Sequence, residues 1–344
     1  MVFCYIKRPS TSLNPVITFN SPNIALCYSC DKSSIPADIY MTQNSSSHLP
    51  QWLAVTILIS VATMFAGNHV AARLAFDSGA GLMIALIARS GFALIIMVSL
   101  VIWQGHSIRI PKGKRRYQLL LGVMITLQSL CLYSSVARIP VPIALLLVNS
   151  WPIVYTLLNW VLSGVRPTRF FVMVLAMISF GLLLVLNIPQ LLSGSHTQDE
   201  NWASGVTLGA MSGFFLAVAM RLMDNQLSQI SGSVRSSFSM LLVFSVILIA
   251  GFADIVPNGM ALPTHSIGWV GLGALALLYG AGSSLLFILL PHLNMARNAP
   301  IVNFEPVASL FLSFWILSQM LTFIQLVGGA IVMTGILLLS FSKR

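Results

Sequence analysis

The chain has 344 residues, 57% of them hydrophobic and 8% charged, with a mean hydropathy of +0.89 and a formal charge of +10. Apolar side chains on this scale exceed what one water-soluble core can bury, so composition excludes an ordinary soluble domain. The basic residues sit in connectors beside apolar runs, not on one polar face, which sets nucleic acid aside as a partner and makes membrane orientation the better reading.

Residues 1–50 are rich in Ser, Asn and Pro, hold three of the four cysteines and lack the apolar segment of a secretory signal. This composition predicts a polar, disordered extension, and Met41 offers an alternative start. Cys27 and Cys30 have CxxC spacing, but no second pair or nearby His completes a metal or redox site. Cys131, inside an apolar run, reads as a small packing residue.

A helix needs about 20 apolar residues to cross roughly 30 Å of hydrocarbon. Ten runs satisfy or approach this: Trp52 to Leu74, Gly81 to Trp103, Tyr117 to Ala137, Val141 to Ser163, Phe170 to Leu192, Trp202 to Met223, Ser236 to Phe252, Ile267 to Leu290, Ala299 to Leu317 and Leu321 to Phe341. They are continuous rather than alternating, which excludes a β-barrel. With the amino terminus inside, the cytoplasmic connectors hold Arg109, Lys112, Lys114, Arg115, Arg116, Arg166, Arg169, Arg221, Arg235 and Arg297, and the tail adds Lys343 and Arg344. The outer connectors hold only Arg73 and Arg138, with the acids Asp77, Asp199, Glu200 and Asp254. The positive-inside rule then places both termini in the cytoplasm.

Sliding the chain by 154 residues aligns Val148–Leu184 with Val302–Leu338 without a gap. The informative matches are Asn149/Asn303, Pro152/Pro306, Thr168/Thr322 and Gly181/Gly335. Five spans per half is an odd number, so the second half must enter the membrane upside down. The expected fold is an all-α integral membrane protein of ten transmembrane helices, in two inverted five-helix repeats spanning 51–195 and 200–341. Such duplication is a plan of secondary transporters, with a site near the midplane and alternating access.

Three groups of residues carry a family resemblance. They are Gly67-Asn68-His69-Val70-Ala71-Ala72-Arg73 in the first run, Ala88-Arg89-Ser90-Gly91-Phe92-Ala93 in the second, and Asn303-Phe304-Glu305-Pro306 followed by Gln319-Met320-Leu321-Thr322 and Gly328 through Gly335. In their order and spacing they resemble the EamA-domain branch of the drug/metabolite transporter superfamily, over about Pro50 to Phe341. Val165 and Gln319 stand where that family commonly carries Glu, and Trp151 is the first-half counterpart of Glu305. The resemblance implies a secondary transporter in a bacterial plasma membrane. It would export a small amphiphilic metabolite such as an amino acid, a vitamin-like compound or a drug.

Polar groups at membrane depth mark the candidate pathway, because a buried charge costs about 2.5–3.5 kcal/mol on insertion scales. Arg89 is either a ligand for a substrate anion or a clamp on backbone carbonyls or helix ends. Glu305 has three readings: a brace at a helix start, where the dipole favours a carboxylate; a proton-coupling group; or a receptor for a substrate amine. Its depth, read from a run starting at Ala299, leaves it out of direct reach of Arg89. His69, where the family usually has an apolar residue, is a proton shuttle or a hydrogen-bonded internal residue. Asn68, Gln128, Tyr133, Asn149, Trp151, Tyr155, Tyr279 and Asn303 complete the candidate lining, while Gly271, Gly273, Gly280 and Gly282 read as helix-packing positions.

No catalytic cluster, metal-spaced His group or Gly-rich phosphate loop is present, so neither catalytic residues, metal nor cofactor are expected. A membrane-embedded enzyme and a sensory scaffold are therefore set behind transport. The expected partners are a small-molecule substrate and the lipid bilayer, with a homodimer left open. Proton coupling and uncoupled facilitation or exchange remain alternatives within transport.

Overall fold

A backbone in hydrocarbon must satisfy its own N–H and C=O groups, and an apolar run of 20 residues does so by coiling into a helix. The computed structural model describes residues 50–105, 107–164, 168–185, 200–256, 258–289, 301 and 304–341. The extension with Cys27 and Cys30, together with Val165 and Asn303, lies outside the described residues. Eleven α-helices are described: α1 (Gln51–Asp77), α2 (Leu82–Trp103), α3 (Arg115–Val136), α4 (Val141–Val148), α5 (Trp151–Ser163), α6 (Arg169–Val185), α7 (Glu200–Asn225), α8 (Gly232–Phe252), α9 (Ser266–Leu289), α10 (Glu305–Leu317) and α11 (Phe323–Phe341). A 3-10 turn, Lys112–Lys114, leads into α3, and no strand occurs among the described residues. Seven helical stretches are long and apolar enough to cross a membrane, α4 and α5 counting together, and three shorter apolar helices accompany them. Trp315 and Phe323, 84% and 80% exposed, are two of many large apolar side chains that a water-soluble protein would bury and a bilayer covers. This is an integral, multi-pass membrane protein.

The run Val141–Ser163, expected as one helix, is two. Pro152 has no N–H to give the carbonyl four residues back, and its ring crowds that carbonyl. Helix α4 therefore stops at Val148 and α5 starts at Trp151, with Pro152 in its first turn. Side chains return hydrogen bonds at the break: Asn149 Nδ2 donates to the Leu145 carbonyl at 2.8 Å, and Ser150 Oγ to that of Leu147 at 2.7 Å. Helix α10 likewise starts with Pro306 in its first turn, so Glu305 is its first residue rather than lying six residues into a run from Ala299.

The 154-residue offset is visible in these geometries. Helices α5 and α10 each have 13 residues and begin and end at equivalent positions. Both are closed by a left-handed residue, Gly164 at φ 69° and Ser318 at φ 52°. Matched threonines start the helices that follow: Thr168 Oγ1 accepts from Phe171 N–H at 3.3 Å before α6, and Thr322 exchanges two hydrogen bonds with Gln325, at 2.9 and 3.3 Å, before α11.

Helix packing has a two-fold pattern. Helix α1 packs on α9 and α10, while α7 packs on α3 and on α4 and α5; α2 packs on α9 and α3 on α8. The pairs α2–α8 and α6–α11 are their own counterparts when the halves are exchanged. Close backbone approach sustains two of these seams. A Cβ on Gly271 would stand 2.9 Å from the Ala71 carbonyl oxygen, and one on Gly328 would stand 2.7 Å from that of Gly181. Gly280 faces Phe92 and Ile96, and Gly282 faces Phe65 and Met64, as packing positions should. Gly273 departs from that expectation, because it is exposed and nothing lies within 4 Å of where its Cβ would be.

Hydrogen bonds sort the connectors onto two ends. At one, Gly81 N–H donates to the Ala261 carbonyl at 2.8 Å, Arg73 Nη1 to the Val136 carbonyl at 3.0 Å, and Val141 N–H to Gln319 Oε1 at 3.2 Å. At the other, Ser233 Oγ donates to Gln104 Oε1 at 2.9 Å, Arg221 Nη2 to Ser163 Oγ at 2.9 Å, and Lys114 Nζ to Gln226 Oε1 at 3.5 Å. The second end carries the basic run from Arg109 to Arg116.

Candidate functional site

Helix α1 is buried continuously from Asn68 to Ala72. Asn68 and His69, side by side on its inward face, are 0% and 5% exposed and need internal partners. Asn68 Nδ2 donates to the Phe65 carbonyl at 2.7 Å, and its Oδ1 accepts a hydrogen bond from the Tyr133 hydroxyl of α3. His69 Nε2 lies 3.3 Å from Glu305 Oε1, tying α1 to the first residue of α10. That pair is an ion pair with His69 protonated and a hydrogen bond with it neutral.

Arg89 of α2 enters the same cluster. It is buried, and its Nη1 donates to Ser129 Oγ of α3 at 3.2 Å. The guanidinium carbon lies 3.8 Å from the ring centroid of Tyr279, on α9, and 5.0 Å from that of Tyr133. Cation–π contact is worth about 2 kcal/mol when desolvated, less than the several kcal/mol needed to bury an ion. No carboxylate oxygen lies within 4 Å of Arg89 among the described residues, because the nearby Glu305 is directed to His69. Nor does Arg89 hold a backbone carbonyl in the hydrogen bonds of the described residues. Arg89 Nε and His69 Nδ1 are buried with no hydrogen-bond partner among the described residues.

Six candidate residues thus meet: Asn68, His69, Arg89, Tyr133, Tyr279 and Glu305. They come from α1, α2, α3, α9 and α10. Gln128 borders the cluster, its Oε1 accepting from Ser129 Oγ at 3.4 Å. The aromatic wall extends to Phe65, whose ring centroid is 5.8 Å from that of Tyr279. Three candidates serve elsewhere. Asn149 bonds within the break of α4 and α5, while Trp151 and Tyr155 stack edge to face with centroids 5.9 Å apart. Tyr155 then donates to Asp224 Oδ2 of α7 at 2.7 Å. Arg73 also serves elsewhere, bridging Asp77 at 2.9 Å and the α3–α4 turn. Ser129 was not singled out in the sequence, although it stands one helical turn before Tyr133, a spacing that puts both on one face of α3.

A buried cation and a carboxylate enclosed among apolar helices need a functional explanation, and the sequence match decides the family. The profile of the EamA-like transporter family matches residues 52–187 and 203–341, one copy in each half. The chain belongs to the EamA-like transporter family. No curated protein matches the chain. Among solved structures, one titled "Crystal structure of protein" superposes with a TM-score of 0.55 at 15% identity, covering 83% of this chain and 96% of the other. At that identity the likeness concerns the fold alone. The family copies divide the chain between α6 and α7, so the central cluster draws α1, α2 and α3 from the first copy and α9 and α10 from the second.

Proposed function

We propose that this EamA-family protein is a secondary active transporter that exports a small amphiphilic metabolite by alternating access, coupled to protons at the His69–Glu305 pair. The observation that carries the reading is that pair, joining the two family copies at the first residue of α10, beside a buried Arg89 that no carboxylate among the described residues contacts. Arg89 provides an anchor for an anionic group, and the rings of Phe65, Tyr133 and Tyr279 provide a wall for an apolar body. Proton exchange at the pair changes how strongly α1 is held to α10. Substrate and proton thereby act on the same seam between halves, which is what exchange of one for the other requires.

The shorter helices α6, α10 and α11 complete ten crossings with the seven long stretches, and the two halves are inverted relative to each other. The shared 154-residue geometry and the two-fold packing pattern support this topology. The concentration of Lys and Arg at one end of the bundle supports a cytoplasmic location for that end and for both termini.

The test is flux of a solute panel of amino acids, organic acids and vitamin-like compounds in proteoliposomes, with and without a pH gradient. Accumulation of at least one solute against its gradient, driven by the pH difference, is the expected result. Flux indifferent to the pH gradient would leave an uncoupled facilitator, the second reading, which the scarcity of ionisable groups inside the helices favours. No flux across the panel would remove transport.

A further inference from the structure

Away from the central cluster, a cleft of about 350 Å³ opens at the basic end between the α2–α3 connector and the α7–α8 turn. Its volume is within the roughly 300–1,000 Å³ of small-molecule sites. Arg109 and Lys114 line it from one side, and Gln226, Gln229 and Ser231 from the other. No acid among the described residues lines it, and the nearest acid in sequence, Asp224, accepts the Tyr155 hydroxyl at 2.7 Å. Ser231, in that lining, is the N-cap residue of α8, so the positive end of a 21-residue helix lies beside the cleft. Around this lining, Lys112, Arg115 and Arg116 bring the basic residues between 109 and 116 to five.

The surroundings distinguish a lipid from a dissolved anion. Ile102, Trp103 and Ile108, flanking the cations, are 69%, 72% and 57% exposed. Trp at a helix end settles at the headgroup level of a bilayer, and basic clusters at that level attract anionic headgroups. A ligand matching both features carries a negative phosphate for Arg109 and Lys114 and acyl chains for the apolar flank.

We infer that this cleft is a binding site for the phosphate headgroup of an anionic phospholipid. The site lies apart from the substrate pathway, so it stands or falls independently of the transport reading. The test titrates the purified full-length protein in a neutral detergent with dihexanoyl phosphatidylglycerol, dihexanoyl phosphatidylcholine or inorganic phosphate, following thermal unfolding. Saturable stabilisation by the phosphatidylglycerol alone is the expected result. In R109Q/K114Q the required concentration rises roughly twenty-five-fold, each cation contributing about a factor of five, whereas R138Q at the opposite end leaves it unchanged. Arg109 is exposed and Lys114 half-buried, so neither substitution disturbs the core; R109Q alone serves as the milder variant. Equal stabilisation by the phosphatidylcholine or by inorganic phosphate, an unchanged titration in R109Q/K114Q, or no saturable response to the phosphatidylglycerol would overturn the assignment.

Discussion

Arg89 stands out at the scale of single residues because its charge is buried against two rings and a hydroxyl and not against a carboxylate. Removing the charge as Arg89→Gln is expected to reduce flux roughly tenfold or more while the protein still inserts, since the cation–π contacts it forfeits are worth about 2 kcal/mol. Arg89→Lys keeps the charge but loses the planar stack on Tyr279, and an intermediate rate is expected. Initial rates in proteoliposomes, normalised to incorporated protein, check both. Equal losses in the two variants would point to geometry alone, and wild-type rates in both would take Arg89 out of the pathway. The residue types in this cluster were legible in the sequence, because ionisable and amide groups inside apolar runs are few. Their partners were not. A depth counted along a straight run from Ala299 separates Glu305 from Arg89 but gives no azimuth and says nothing of His69, which the packing of α1 against α10 brings to 3.3 Å.

Among the elements, the helix ends carry the clearest consequences. Ser318 holds φ 52° where the equivalent position of the other half has Gly164. A left-handed conformation costs a non-glycine residue about 1 kcal/mol, so Ser318→Gly is expected to raise the unfolding temperature in detergent by a few degrees and Gly164→Ala to lower it. A fall with Ser318→Gly would mean that the serine side chain contributes more than its backbone costs. Gly328→Val should lower stability by about 1–3 kcal/mol, because its Cβ would press on backbone atoms of α6 at 2.7–2.8 Å that cannot swing aside. The matched Pro and Thr were readable as a repeat without their purpose being readable. The break at Asn149–Ser150 was hidden because hydropathy is continuous from Val141 to Ser163, and only the prolyl ring interrupts the hydrogen-bond ladder.

At the scale of the whole molecule the integral membrane class was legible in the sequence, since run length is a global property that does not depend on packing detail; the distribution of Lys and Arg is equally global. They imply a topology that can be measured directly. In a chain stripped of its native cysteines, Ser107→Cys is expected to react with an impermeant maleimide only from the cytoplasmic side and Leu262→Cys only from the opposite side. Labelling of both from one side would contradict the sorting of the connectors. Proton coupling at the contact between halves, the His69–Glu305 pair, is open to a single substitution, Glu305→Gln. In proteoliposomes containing the solute that wild-type protein moves, Glu305→Gln is expected to sustain substrate exchange at near wild-type rate while its net flux no longer follows an imposed pH gradient. Retention of the full wild-type gradient response by Glu305→Gln would rule out proton coupling at Glu305.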